Sequence, residues 1–405
     1  MGDSGYRHIL NVTDSDETQG YHLRFYQFLG GHSLLIGLFP FFLPVYLWNA
    51  GVSLSHICLF IALTGLAFCL SLRSWEYCAA KWSVSHLMIL TYWLELLLLV
   101  TVLLTDTSAY ATNLWFILIL GFTNGIYNSF FWTTQRALFL DLISTRTSGR
   151  QYGNFQIFVG VFLKGGIFLG GILLEHMGFP WVFITTTCLV VAITAYLLRK
   201  PMQCLSLDTQ KPVSLATLKS FRDQYRSRTV FICDGLFLFL ESHFWTISLF
   251  LLTNQDFARL SIIVIGLAVM FAVLFFIAKN TIDRLMGKRL FAIAVGLYAL
   301  SWILRAIIDP SLSIQWLFVW LSLITFFSSF FRLSFNKRFY DLALETTNRE
   351  YLLIKSYYTQ CSVVLIFSVL ALLAALIGDD GRTLSVVYTG AAVLALAYGR
   401  YQHKA

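Results

Sequence analysis

Asn128-Ser-Phe-Phe-Trp-Thr-Thr-Gln-Arg-Ala-Leu-Phe-Leu-Asp-Leu142 lines up without a gap on Ser328-Ser-Phe-Phe-Arg-Leu-Ser-Phe-Asn-Lys-Arg-Phe-Tyr-Asp-Leu342, which lies 200 positions later. The Ser-Phe-Phe near the start of each copy agrees, and so do a Phe and the closing Asp-Leu pair of each copy. A repeat of such long period in an apolar chain is typical of membrane proteins built from two similar helical halves. The two copies therefore predict an internal duplication.

The composition is that of an integral membrane protein. Of the 405 residues, 58% are hydrophobic and only 12% are charged, whereas soluble domains are about one quarter charged. Hydropathy predicts twelve apolar spans, each near the roughly 20 residues that a helix needs to cross a bilayer. They lie at 25–48, 53–72, 83–105, 113–139, 152–174, 178–198, 229–253, 257–278, 290–308, 313–335, 351–377 and 383–401.

One long polar connection divides these spans into six and six. It covers 199–228, and we expect it to include a short amphipathic helix on the membrane surface. The predicted fold is an all-α polytopic membrane protein with 12 transmembrane helices in two pseudo-symmetric six-helix bundles. The predicted units are an N-terminal tail at 1–24, a first bundle at 25–198, the linker at 199–228 and a second bundle at 229–401.

The basic residues predict the orientation. Most of the 29 lysines and arginines fall in connections on the same side as the two termini, and only Arg259, Arg305 and Arg382 fall in the opposite connections. Because positive connections stay inside, both termini are predicted to be cytoplasmic. The net charge of +8 then faces anionic lipid head groups. Membrane lipids are expected partners, and nucleic acid is not.

Two segments resemble the major facilitator superfamily of secondary transporters. Residues 124–135, then Asp141, Arg150-Gln-Tyr-Gly153 and the glycine-rich stretch 160–171, are similar to the fourth and fifth helices of that family with their basic turn. Asp283-Arg-Leu-Met-Gly-Lys-Arg289 is similar to the loop that the family carries between the second and third helices of each half. The resemblance implies a twelve-helix fold whose halves rock around a central solute site.

Several ionisable side chains lie deep in the apolar spans, where each costs about 2.5 to 3.5 kcal/mol on insertion scales. Asp234 and Glu241 are two helical turns apart and therefore share a face, whereas His243 points elsewhere. We interpret Glu95, Asp234, Glu241 and His32 as candidate proton-coupling groups. The alternatives are a structural salt bridge for Asp234 and a hydrogen-bonded core histidine for His32.

Polar stripes on the two repeated helices are the candidate walls of a solute cavity. Arg332 occupies the repeat position of Trp132, and an arginine there favours a carboxylate, phosphate or phenolate group on the solute. Pairing of Arg332 with Asp234 or Glu241 as a structural bridge is an equally open interpretation. The candidate cavity residues are Asn124, Asn128, Trp132, Gln135, Lys164, Ser328, Arg332, Asn336 and Lys355.

Charged residues at the cytoplasmic ends of the spans are candidate parts of a gate. Asp141 and Asp341 stand at matched ends of the repeated helices, and we expect them to form salt bridges that are remade as the halves move. Arg150 belongs to the same end of the first half, and Asp283 with Arg284 to the loop of the second half.

No catalytic signature is present, since the chain lacks a phosphate-binding loop, a His-Glu-x-x-His and a Cys-x-x-Cys. We therefore expect no enzyme activity, no metal and no cofactor, and seven free cysteines. The predicted function is proton-coupled, alternating-access transport of a small organic solute with an acidic or aromatic part, by a monomer in a bacterial inner membrane. Import of an organic anion or iron chelate and efflux of an amphipathic compound both fit. A lipid or lipid-linked-sugar flippase and a non-transporting receptor or scaffold are the alternatives.

Overall fold

The computed structural model describes residues 15–104, 114–142, 148–199, 213–270, 288–308, 313–346 and 349–401. These residues form helices and no strand. The helices are α1 (Ser15–Leu38), α2 (Leu43–Asn49), α3 (Leu54–Lys81), α4 (Val84–Leu103), α5 (Leu114–Leu142), α6 (Ser148–His176), α7 (Phe179–Arg199), α8 (Leu215–Ser220), α9 (Ser227–Phe239), α10 (Trp245–Leu252), α11 (Phe257–Met270), α12 (Lys288–Ala306), α13 (Ile314–Glu345), α14 (Arg349–Ile377) and α15 (Asp380–Ala395).

Within those ranges, nine helical segments are long and apolar enough to cross a membrane. Two shorter apolar helices, Phe257–Met270 and Leu290–Ala306, lie where the eighth and ninth spans were predicted. The twelfth position is taken by α15 and the 3-10 turn Leu396–Arg400 that follows it. The polytopic all-α fold is confirmed, and the arrangement is consistent with twelve spans.

The 200-residue repeat is visible in the backbone. The repeated helices α5 (Leu114–Leu142) and α13 (Ile314–Glu345) lie 200 residues apart in the chain. The turns that follow the next helix of each half contain Gly178 and Gly378, with φ of +82° and +67°. Because glycine adopts this left-handed conformation at little cost, each half makes the same sharp reversal into its last helix.

The two halves also share a packing pattern. In the first half, α1 packs on α6, and α4 packs on α5 and α7; in the second half, α9 packs on α14, and α12 packs on α13 and α15. These are equivalent pairs of helices. The halves meet mainly along α3 and α14, with a second contact between α6 and α13.

Glycines allow the tightest of these helix contacts. A methyl group on Gly166 of α6 would overlap the carbonyl oxygen of Leu34 in α1, and one on Gly125 of α5 would overlap that of Thr64 in α3. Small residues that let backbones approach are a common basis of helix association in membranes. These glycines set the spacing of the first bundle.

Local sequence signals explain where several helices begin and break. Ser53 and Ser83 accept hydrogen bonds from the backbone N–H groups of His56 and His86, which caps α3 and α4. The first span breaks at the Phe39–Phe42 turn, which contains Pro40, since proline cannot donate the backbone hydrogen bond that a continuous helix needs.

The linker keeps its position through contacts with both halves. Residues 200–212 lie outside the described residues, and the predicted short helix is present as α8. The backbone N–H of Val213 donates to Glu76 Oε1 of α3 at 3.1 Å. Tyr358 of α14 donates its hydroxyl to the carbonyl oxygen of Leu218.

Substitution of Gly166 by alanine is expected to destabilise the first bundle, because the added methyl group would overlap the α1 backbone. Overpacking of this kind costs about 1–3 kcal/mol. Gly160→Ala in the same helix is the matched control, since a methyl group there meets nothing within 4 Å. Thermal unfolding in detergent checks the prediction, and equal midpoints for the two variants would contradict it.

Candidate functional site

Arg332 of α13 lies between two carboxylates of the seventh span. Its Nη1 is 2.7 Å from Asp234 Oδ1, and its Nε is 2.9 Å from Glu241 Oε2. The Arg332 side chain is 20% exposed, that of Asp234 4% and that of Glu241 24%. Both acids therefore share one face, as their spacing predicts, and one guanidinium holds both.

Further groups complete this cluster. Lys355 Nζ of α14 is 3.1 Å from Asp234 Oδ2. Tyr398 donates its hydroxyl to Asp234 Oδ1 at 2.7 Å, and Tyr298 of α12 donates to Glu241 Oε1 at 2.6 Å. Two cations and two carboxylates balance, and every carboxylate oxygen has a partner.

A π-helical turn, Leu240–Phe244, joins α9 to α10 and carries Glu241. Such turns are frequent at functional sites, and the extra residue changes the direction of the side chains around it. His243 in the same turn hydrogen bonds to Ser242 Oγ at 2.9 Å and packs near Phe60 and Phe239. It takes no part in the charge cluster.

A cavity of about 780 Å³ lies between the halves and is bounded by α6, α10, α11 and α13. The wall is mainly apolar and contains three charged groups, Lys164, Glu241 and Arg332. The residues that line it include Phe41, Tyr152, Gln156, Phe168, Trp245, Thr246, Val264, Thr325 and Ser329.

Lys164 is the charged group that the first half contributes to this wall. It is half-buried, and among the described residues its ammonium group has no hydrogen bond or ion pair. Glu241 and Arg332 neutralise each other, so the described wall carries a net charge of about one positive unit. The carboxylate of Glu95 pairs with His32 and not with Lys164.

The polar stripe of α5 forms a ladder of hydrogen bonds. Asn124 donates to Thr64 Oγ1 at 3.1 Å, Asn128 donates to Asn124 Oδ1 at 2.9 Å, and Trp132 donates to Asn128 Oδ1 at 2.8 Å. Gln135 is buried nearby in the same helix. These four side chains are not part of the wall of the 780 Å³ cavity.

The remaining candidate residues of the second half do not line the cavity but contact side chains at or next to its wall. Ser328 accepts a hydrogen bond from Arg305 Nη2 at 2.9 Å, and Asn336 donates to the carbonyl oxygen of Arg332 at 2.8 Å. Arg305 stacks on Trp302 and on Trp245, and Trp245 lines the cavity. Lys355 pairs with Asp234, which in turn pairs with Arg332 of the cavity wall.

His32 and Glu95 form a separate pair inside the first bundle. His32 Nδ1 lies 3.0 Å from Glu95 Oε2, and both side chains are fully buried. Rings of Phe28, Tyr92 and Phe131 surround the imidazole. This pair is sealed off from the cavity.

The halves contact each other at both ends of the bundle. We call the end that holds Lys81, Asp141 and Arg349 the basic end, and the end that holds Trp48 and Asp380 the opposite end. At the basic end, Arg349 Nη2 of α14 lies 2.8 Å from Asp141 Oδ2 of α5. At the opposite end, Trp48 donates to Asp380 Oδ2 at 3.0 Å.

Aromatic rings add to the contact at the basic end. The ring of Tyr340 in α13 lies 5.0 Å from that of Phe139 and 5.6 Å from that of Tyr152. The second predicted gate carboxylate, Asp341, pairs with Lys337 of its own helix at 2.8 Å. The side chain of Arg150 and all of Asp283 and Arg284 lie outside the described residues.

Comparison with known proteins agrees with this architecture. Residues 29–347 match the model of the Major Facilitator Superfamily. The chain belongs to the major facilitator superfamily. No curated protein matches it.

Among solved structures, the nucleoside transporter NupG and a point mutant of NupG resemble this superfamily member. The mutant has a TM-score of 0.67 at 15% identity, with 94% of this chain and 98% of that chain covered. NupG itself has a TM-score of 0.64 at 15% identity, with 95% of this chain and 100% of that chain covered. At this identity the likeness shows the fold alone.

Sequence reasoning missed several partners in this superfamily member. Tyr298 and Tyr398 are neutral and gave no charge signal in apolar spans. Arg136 lies one turn after Trp132 and stacks near its ring at 5.9 Å. A step of four residues from Trp132 reaches Arg136, whereas the predicted stripe took a step of three to Gln135.

Replacement of Asp234 by asparagine is expected to destabilise the second half, because it leaves Arg332 and Lys355 without their shared carboxylate. Loss of one partner of a buried ion pair costs on the order of 3 kcal/mol. Asp341→Asn at the basic end is the control, since a partly exposed pair contributes about 1 kcal/mol or less.

Thermal unfolding measures both variants. Adding Lys355→Gln to Asp234→Asn should recover part of the loss. An Asp234→Asn variant as stable as the unmodified chain would contradict this account of the cluster.

Proposed function

We propose that this protein is a proton-coupled secondary transporter that carries a small organic anion with an aromatic or apolar body by alternating access. The observation that carries the proposal is Lys164, which has no ion pair among the described residues and lies in the wall of an apolar cavity between the two halves. A lone cation within a membrane span is costly. An anionic group on the solute would neutralise it.

Charge favours an anion over a neutral or cationic solute. The carboxylate cluster is balanced internally, which leaves Lys164 as the binding charge. A cationic solute would meet repulsion from Lys164.

The rest of the wall favours an apolar body on that anion. Phe41, Phe168 and Trp245 lie in the lining together with aliphatic side chains. Pockets that are mostly apolar with few charged groups bind the body of a ligand by burial and orient it through those groups. An aromatic carboxylate matches this distribution, and so does a catecholate-type iron chelate.

Glu241 is the acid we assign to proton coupling. Of the acids in the two buried clusters, it alone lies in the cavity wall, and its side chain is 24% exposed. Protonation of Glu241 would free Arg332 to bind a solute carboxylate. Asp234 is held by Arg332, Lys355 and Tyr398, and Glu95 is sealed with His32.

The contacts at both ends of the bundle support alternating access. Each end has an ion pair or hydrogen bond between the halves, and the cavity lies between these ends. Opening one end while the other stays closed would expose the cavity to one side at a time. In this proposal the basic end faces the cytoplasm of a bacterium, and protons moving inward drive uptake. Efflux of an amphipathic anion would use the same parts.

A lipid-like solute is the second candidate. Val161 of α6 and Val269 of α11 line the cavity and are 64% and 60% exposed. Exposed apolar side chains on two membrane helices favour a sideways opening between them. A flippase would use this opening for acyl chains.

The first test compares solutes that differ only in charge. Benzoate is expected to bind at least tenfold more tightly than benzamide, which corresponds to about 1.4 kcal/mol or more. Lys164→Met should remove this preference, and Lys164→Arg should keep it. Calorimetry on the purified protein measures the affinities.

Uridine and a lysophospholipid complete the panel. Uridine tests the solute class named for the structural neighbours, and the lysophospholipid tests the flippase. Tighter binding of benzamide or uridine than of benzoate would contradict the anion proposal.

The second test concerns coupling. In proteoliposomes, Glu241→Gln should abolish accumulation of labelled benzoate driven by a pH gradient, because the amide cannot carry a proton. Exchange of benzoate at equal pH should continue, which shows that the variant is folded. Glu95→Gln is the control and should retain driven uptake. Unchanged driven uptake by Glu241→Gln would remove Glu241 from the coupling mechanism.

A further inference from the structure

Two thiols touch where the halves of the molecule meet. Cys69 lies in α3 of the first half and Cys361 in α14 of the second, and their Sγ atoms are 3.8 Å apart. The two residues are 292 positions apart in the chain, and both are free cysteines. The two thiols meet because α3 and α14 pack against each other where the halves join, which we call the seam.

The backbones of the two helices come close beside these thiols. A methyl group on Gly65, one turn before Cys69, would lie 3.1 Å from the carbonyl oxygen of Gln360, the residue before Cys361. A disulfide needs an S–S distance of about 2.05 Å and a Cα separation of about 4.4–6.8 Å. Helices packed this closely leave a short distance that side-chain rotation can close.

We propose that Cys69 and Cys361 form a reversible disulfide that fastens α3 to α14 when a peroxide reaches the membrane. Cys361 is exposed and Cys69 half-buried, so a small neutral oxidant can reach the pair. One thiol reduces hydrogen peroxide and becomes a sulfenic acid with release of water. The second thiol displaces the hydroxyl as a second water, and the S–S bond forms. A dithiol reductant restores both thiols.

This bond would act on the movement of the halves, and in that respect the inference rests on the proposed transport. Cys69 lies 12 residues before the last residue of α3, Lys81, which places it about 18 Å from the basic end at 1.5 Å per residue. A covalent link at this depth joins the helices across the seam. The halves could then no longer separate there.

The bond itself is tested without any solute. A protease site is inserted in the linker at 200–212 of the full chain, membranes are treated with hydrogen peroxide, and the linker is then cut. The two halves should run as one band on a non-reducing gel and as two after dithiothreitol. Cys69→Ser and Cys361→Ser should run as two bands throughout. Cys188→Ser, which removes an exposed thiol of α7, should behave as the unmodified chain.

Two bands from the oxidised, unmodified chain on the non-reducing gel would overturn the proposal. The effect of the disulfide on the movement of the halves, which we call the lock, is measured in two ways. One is uptake of labelled benzoate, and the other is amide hydrogen exchange in α3 and α14. Oxidation should lower uptake at least tenfold and slow exchange, with neither effect in Cys361→Ser. If the reduced protein carries no benzoate, the proposed solute is wrong, and the exchange rates still decide the lock. Unchanged exchange in the linked protein would overturn it.

Discussion

A charge inside an apolar helix bundle is costly unless an opposite charge lies beside it, and Arg332 is held by two such charges. Through Asp234 and Glu241, this guanidinium fixes the seventh span against α13. Tyr298, Lys355 and Tyr398 tie α12, α14 and the last 3-10 turn to the same two carboxylates. The arrangement of the second half depends on this cluster, and so does the chemistry of the cavity wall.

The two halves share a fold and differ in what they place at equivalent positions. At the repeat position of Arg332 the first half has Trp132, which ends a ladder of neutral hydrogen bonds. The ionisable pair of the first half, His32 and Glu95, is enclosed in its own bundle. The first half therefore contributes the positive charge of Lys164 to the described cavity wall. The second half contributes a cluster whose charges balance. This asymmetry makes the wall suitable for an anion.

The fold could be predicted from the sequence because it depends on two strong signals, span-length hydropathy and the 200-residue repeat. The charge cluster could be predicted in part, since Asp234, Glu241, Arg332 and Lys355 are conspicuous in apolar spans. Its tyrosines could not, because Tyr298 and Tyr398 differ little from the aromatic residues around them. The π-turn at Glu241 and the meeting of Cys69 with Cys361 depend on tertiary packing, which neither periodicity nor composition reports.

The proposed transport cycle requires the halves to rock so that the cavity opens to one side at a time. The most direct measurement is double electron–electron resonance on two pairs of nitroxide labels at exposed positions. One pair joins Tyr77 and Glu345 at the basic end, and the other joins Trp181 and Leu376 at the opposite end. On addition of benzoate and a change of pH, one distance should lengthen while the other shortens. Two distances that stay constant, or lengthen together, would contradict it.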